Sequence, residues 1–282
     1  MPELDLPYFD QILSRLAEAP DSEVAAAFAR HVHWGCYADP AGADTSLEGY
    51  VGAAEALTQR VVSAAGIGDG VRVLDVGCGF GGTIAHLDEQ LRGATLVGLN
   101  IDGRQLARAR RSVAGTGANQ VAFVQGDATT LPFATASFDV VLAIECAFHF
   151  PSRKQFFREA ARVCRPGGRL AMTDFVLRDG ALAELAAWVA EAQVPDTDFY
   201  GTNRTPLTAG AYARQTAGAG FDALVDDDIT ANTLPTYAAM GRLYADADLP
   251  DGVEASRYLD AIARTGFVQY HVLAFERRVA AS

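Results

Sequence analysis

The sequence predicts an α/β chain built on a doubly wound, mostly parallel sheet, with helices ahead of the sheet and a helical lid inserted after its fifth strand. Three observations carry this prediction. Short β-branched apolar runs alternate with helical patterns between residues 71 and 175. The first run leads directly into Gly77-Cys78-Gly79-Phe80-Gly81-Gly82, a glycine turn ahead of a helix. Asp75, Asn100, Asp127, Glu145 and Asp174 each fall at the carboxyl end of an expected strand, where open α/β sheets bind ligands.

The elements follow in order. Residues 1–65 read as an N-terminal helical segment. Phe9, Ile12, Leu13 and Leu16 form one apolar face, Ser22 caps a second helix, and Ser46 caps a third. Between the last two lies His31-Val32-His33-Trp34-Gly35-Cys36-Tyr37, an aromatic turn. Residues 66–175 form the core. Its expected strands are Val71 to Val76, Ala94 to Leu99, Val121 to Gln125, Phe138 to Ile144 and Arg169 to Thr173. Helices separate them. The one before the fifth strand opens on a Ser152/Gln155 capping box and stops at Pro166-Gly167-Gly168. Residues 176–260 read as a lid and substrate region. It carries helices over Ala181 to Ala192 and Leu207 to Ala219, a strand near 221–226, and a helical stretch with Tyr237, Met240, Leu243 and Tyr244. Residues 261–282 supply a final strand, Phe267 to Glu276, that completes the sheet.

Composition narrows the partners. The 282 residues are half hydrophobic and carry a net charge of −12. Such acidity argues against nucleic acid and anionic membranes as partners. The densest basic run, Arg104, Arg108, Arg110 and Arg111, reads as a solvated helix face. Cys36, Cys78, Cys146 and Cys164 lack metal or disulfide spacing, so no metal is expected. No signal-peptide pattern opens the chain and no run reaches transmembrane length, so a cytoplasmic protein is expected. A homo-oligomer is compatible with the sequence.

Taken literally, Gly77, Gly79 and Gly82 match the dinucleotide fingerprint G-x-G-x-x-G. Asp75 argues against that reading, because a carboxylate two residues before the first glycine repels a pyrophosphate and suits a cation. The pattern Asp75-x-Gly77-x-Gly79-x-Gly81 resembles motif I of class I S-adenosylmethionine (SAM) dependent methyltransferases, a Rossmann-like family. Gly126-Asp127-Ala128, Phe138-Asp139-Val140-Val141 and Arg165-Pro166-Gly167-Gly168 follow in that family's order. Glu145-Cys146-Ala147-Phe148-His149, with Asp174-Phe175 and His33-Trp34-Gly35, resembles the members acting on sugars, tocopherols, sterols and bacterial natural products.

The resemblance implies SAM as cofactor and S-adenosylhomocysteine as product. Asp75, Gly77 and Gly79 would hold the amino-acid end. Asn100, with Ile101 and Gln105, would meet the ribose, Asn100 standing where an acidic residue is usual. Asp127 and Ala128 would meet adenine. Glu145 would lie near the sulfonium, and Trp34 and Tyr37 would contact the cofactor. His149 and Asp174 match a catalytic base and its partner in O-methylating members. The lid aromatics Trp188, Phe199, Tyr200, Tyr212, Tyr237 and Tyr244 are candidates for an apolar acceptor pocket.

The expected activity is methyl transfer from SAM to a small-molecule acceptor of secondary metabolism, at oxygen with His149 as base. Alternatives are carbon or nitrogen methylation without a base, and a SAM-binding cyclase. An NAD(P) oxidoreductase is disfavoured by Asp75, Asn100 and the lack of a Tyr-x-x-x-Lys pair. A methyltransferase acting on RNA is disfavoured by the acid balance.

Overall fold

The computed structural model describes residues 6–113, 115–191, 198–200 and 206–279. The helix expected to reach Ala192 therefore runs out of the described residues at its end.

Three helices open the chain: α1 (Pro7–Glu18), α2 (Glu23–Ala27) and α3 (Leu47–Ala65). Proline begins α1, where its missing N–H costs nothing. The Ser22 and Ser46 hydroxyls each accept a hydrogen bond from a first-turn amide, at 3.2 Å from Ala25 and Gly49. Gly66 closes α3 in the left-handed region.

Then β1 (Arg72–Val76), α4 (Gly82–Gln90), β2 (Thr95–Asn100), α5 (Gly103–Ser112), β3 (Gln120–Gln125), β4 (Phe138–Ala143), α6 (Arg153–Val163) and β5 (Cys164–Leu177) alternate as expected. After β5 come α7 (Leu182–Glu191), a 3-10 turn (Asp198–Tyr200), β6 (Leu207–Thr208), α8 (Ala209–Ala219), β7 (Phe221–Asp228), α9 (Thr230–Asp246), α10 (Pro250–Thr265) and β8 (Val268–Arg277). The sheet order is β3-β2-β1-β4-β5-β8-β7, with β6 paired to β5. Neighbours from β3 to β5 run parallel; β8 runs antiparallel to both β5 and β7. The fold is Rossmann-like.

Alternation along the strands builds two cores. Val73, Leu96 and Val140 face the layer of α1–α4 and α9. Their successors Leu74, Val97 and Val141 face α6 and α8. No helix among the described residues is long and apolar enough to cross a membrane.

Two expectations about elements need correction. Helix α6 stops at Val163, not at Pro166, because a proline disfavours helical geometry in the residue before it and Cys164 is already extended. Strand β5 runs on to Leu177, because β8 pairs with it from Arg169↔Glu276 to Leu177↔Val268. Asp174 therefore lies inside a strand, opposite His271, rather than at a strand end.

Candidate active site

Two cavities lie side by side, the first at the carboxyl ends of β1 to β4 and the second meeting it at the residues after β4. The first, about 320 Å3, lies against the glycine turn. Asp75, Gly77 and Gly79 line it at the end of β1, and Asn100, Ile101 and Gln105 line it after β2. Asp127 and Ala128 line it after β3, and Glu145 and His149 line it after β4. The parallel register places these strand ends together, pairing Val76 with Leu99 and Asn100 with Gln125.

Asp75 is 2 % exposed, and its Oδ2 has no hydrogen-bond partner among the described residues. Burial pushes its carboxyl up to about 8. Gly77 and Gly79 hold φ of +75° and +52°, conformations that favour glycine. The Asn100 amide donates to Gln105 Oε1 at 3.0 Å, which fixes both side chains at the wall. Asp127 Oδ1 accepts from the amide and the hydroxyl of Thr129, each at 2.7 Å. The basic face of α5 is turned to structural use. Arg104 pairs with Asp10 and Asp102, and Arg108 lies over the Phe80 ring at 5.0 Å.

The second cavity, about 390 Å3, is aromatic and apolar. Of the lid aromatics, Tyr200, Tyr237 and Tyr244 line it; Trp188, Phe199 and Tyr212 do not. Four residues line both cavities: Tyr8, Val32, Glu145 and His149. Glu145 has a left-handed backbone, φ +51°. Its Oε2 accepts from the Trp34 amide at 2.8 Å and from the Tyr270 hydroxyl at 2.6 Å, and its own amide donates to Thr173 at 2.9 Å. Desolvation pushes its carboxyl up to about 8. Tyr8 reaches over from α1, its hydroxyl 3.5 Å from His149 Nε2. Burial, with Glu145 nearby, raises the Tyr8 phenol well above its usual range.

Residues 74–172 match a family model described as a methyltransferase domain. The methyltransferase GfsG of Streptomyces halstedii is 38% identical over 216 residues, covering 76% of this chain and 74% of that protein. The 27-O-demethylrifamycin SV methyltransferase of Amycolatopsis mediterranei is 41% identical over 127 residues, 43% of this chain and 44% of that one. The chain belongs to the class I SAM-dependent methyltransferases. The cyclopropane synthase MmaA2 of Mycobacterium tuberculosis shares the methyltransferase's fold, with a TM-score of 0.75 at 17% identity over 96% of this chain and 99% of that one.

SAM is the methyl donor of this methyltransferase, and the first cavity fits it on its own chemistry. An unpartnered buried carboxylate suits an ammonium, and a turn whose Cβ positions are closed off lets a ligand approach the backbone. Among the described residues no group of histidine, cysteine and carboxylate side chains could hold a metal.

Three expected site residues stand elsewhere. Trp34 lines the second cavity instead of the first. Its amide is pinned to Glu145 and its ring packs edge-on against Tyr237 at 5.6 Å. Tyr37 lines neither cavity, because Asn232 takes both its amide, at 2.9 Å, and its carbonyl, at 2.8 Å. Asp174 lines neither cavity. The Arg153 guanidinium donates to it at 2.6 and 3.2 Å, and the Tyr212 hydroxyl donates to it as well. The residue beside His149 in the cavity wall is Tyr8. Tyr8 was not foreseen, although its place four residues before Ile12 put it on the apolar face of α1.

Proposed function

We propose that the methyltransferase methylates a hydroxyl group of a small-molecule natural product, with His149 as general base. The observation that carries this reading is the position of His149 in the wall common to both cavities. A base there lies between a cofactor held in the first cavity and an acceptor held in the second. A relative named for work on 27-O-demethylrifamycin SV supports the acceptor class.

In this reading Asp75 and the backbone at Gly77 and Gly79 hold the amino-acid end of the cofactor. Asn100, Ile101 and Gln105 face the ribose, and Asp127 and Ala128 face the base. Bound there, SAM supplies an electrophilic methyl group on a cationic sulfur. Glu145 holds the Trp34 strap in place and adds a polar wall close to the junction. The His149 imidazole takes the acceptor's hydroxyl proton, a role suited to it near neutral pH. Tyr8 cannot serve as the base, since its burial keeps the phenol protonated; it orients the imidazole through its hydroxyl. The aromatic walls exclude water from the junction.

The test is incubation with methyl-labelled SAM and a panel of polyketide alcohols, with the product's new carbon located by NMR. Label on oxygen, and a loss of about 10²–10⁴ in kcat for His149→Ala with S-adenosylhomocysteine affinity unchanged, is the expected result. Label on carbon, or rearranged product with the methyl retained on the cofactor, would replace this reading. So would wild-type turnover in the variant.

A further inference from the structure

The second cavity has a direction. Its inner end is formed by Trp34, Tyr237, Tyr244 and Tyr270, all buried. Its other end is formed by Leu185 and Val189 of α7 and by Leu259, Ile262 and Ala263 of α10, none of which is buried. Val189 is 42% exposed. No residue of α7 is buried, although its sequence, LAELAAWVAE, is mostly apolar. Helices α7 and α10 meet where the Trp188 and Tyr258 rings stack at 6.2 Å, and beside that contact the incompletely buried residues of both form an exposed, apolar end of the cavity.

The cavity's charge is as distinctive as its shape. No lysine or arginine among the described residues lines it. Its one carboxylate, Glu145, is held by the Trp34 amide and the Tyr270 hydroxyl, and burial pushes it up to about 8. An anionic acceptor would find no lysine or arginine there, and an ammonium would find only a carboxyl group whose Oε2 is already engaged by Trp34 and Tyr270. A charged group buried without a partner is strongly disfavoured. Thr230, Thr233 and Gln269 supply neutral polar contacts along the wall.

Resting on the methyl-transfer reading above, we propose that the acceptor is an uncharged, chiefly apolar molecule that enters at this exposed end, beside the contact of α7 and α10. Its hydroxyl leads towards His149, and its bulk stays against the apolar rim of Leu185, Val189, Leu259, Ile262 and Ala263. Helices α7 and α10 are then the specificity-determining part of the enzyme, and rim residues set the affinity for the acceptor without touching the cofactor.

The chain's two tryptophans allow a direct test. In Trp188→Phe, Trp34 at the inner end is the remaining fluorophore. This protein is titrated with 1-decanol, decanoate and decylammonium, which share one chain and differ in charge, and separately with S-adenosylhomocysteine. The expected result is a shift of Trp34 emission by decanol, with an apparent Kd at least about tenfold lower than for either ion. Adding Val189→Asp at the rim raises the decanol Kd at least about fivefold. Adding Leu182→Asp, on the same helix but 58% exposed and outside the cavity, leaves it unchanged. Decanoate or decylammonium binding as tightly as decanol overturns the proposal. Indifference to Val189→Asp in a protein that still binds S-adenosylhomocysteine also overturns it. Failure of S-adenosylhomocysteine to bind the parent removes the methyl-transfer reading itself, and the two failures are thereby told apart.

Discussion

At Gly77 the backbone holds φ +75°, and a Cβ there would lie 2.7 Å from the Cβ and 2.8 Å from the Sγ of Cys146. Both the left-handed conformation and the contact oppose any side chain. Gly77→Ala is expected to lower stability by about 1–3 kcal/mol and to weaken S-adenosylhomocysteine at least tenfold, read by thermal unfolding and calorimetry. Wild-type values in both would show that the turn is not constrained as described. Glu145 holds a left-handed φ without being glycine, a conformation that costs on the order of 1–3 kcal/mol unless its surroundings enforce it. The bonds to Trp34, Tyr270 and Thr173 do so, and they fix the carboxylate at the junction. At this scale the sequence was most readable where geometry is local. Asp75, Asn100 and Asp127 follow from strand ends alone, since parallel strands in register must bring their carboxyl ends together. Trp34 and Tyr37 were less readable, because the path of the aromatic strap is set by Glu145 and Asn232, more than a hundred residues away in the chain.

Among the elements, β5 shows how a partner strand alters a reading. A run of apolar residues ending in Asp174 looks complete by itself; β8 extends it, and Asp174 becomes an interior residue with no exposure. Its charge is met by Arg153 of α6, and Tyr212 of α8 joins them, so one buried ion pair joins two helices to the sheet. Arg153→Leu would strand that carboxylate. It is expected to cost about 3–5 kcal/mol in chemical denaturation, far more than loss of an exposed pair such as Arg264–Asp260. A cost below 1 kcal/mol would mean that Tyr212 alone satisfies Asp174. Helix α10 was missing from the sequence reading for a related reason. Its buried residues are Gly252, Ala255 and Ser256, too small to mark a helical period. They are small because α10 packs closely there: a Cβ on Gly252 would lie 2.8 Å from the Tyr244 ring.

For the molecule as a whole, two buried carboxylates set a pH dependence. Folded Asp75 keeps its proton up to about pH 8, whereas its ordinary value is 3.8. Glu145 behaves alike, at about 8 against 4.5. Between those limits these two groups hold more protons in the native state than in the unfolded chain, so their contribution to stability is fully present at low pH and declines as pH rises towards 8. The ligand-free protein should lose up to ~1.4 kcal/mol per pH unit for each group, and Asp75→Asn should remove its share of the slope. Melting curves between pH 6 and 8 provide the check; a flat profile, or one unaltered in the variant, contradicts it. SAM should add more stability at pH 8 than at pH 6, because its cationic end favours the ionised carboxylate.

The sequence carried the alternating core and the cofactor chemistry because both are written in short, contiguous motifs. It did not carry the second cavity, which is assembled mostly from α1, the aromatic turn, α7, α9, α10 and β8 through tertiary packing. That division has a consequence. Between β1 and the end of β5, the described residues that line the second cavity are Glu145, Phe148, His149 and Phe175. Among the described residues, none beyond Pro151 lines the first cavity. Mutational drift in the segment after β5 can therefore reshape the second cavity while the described lining of the first is left untouched, and a graft of that segment between relatives should shift acceptor choice.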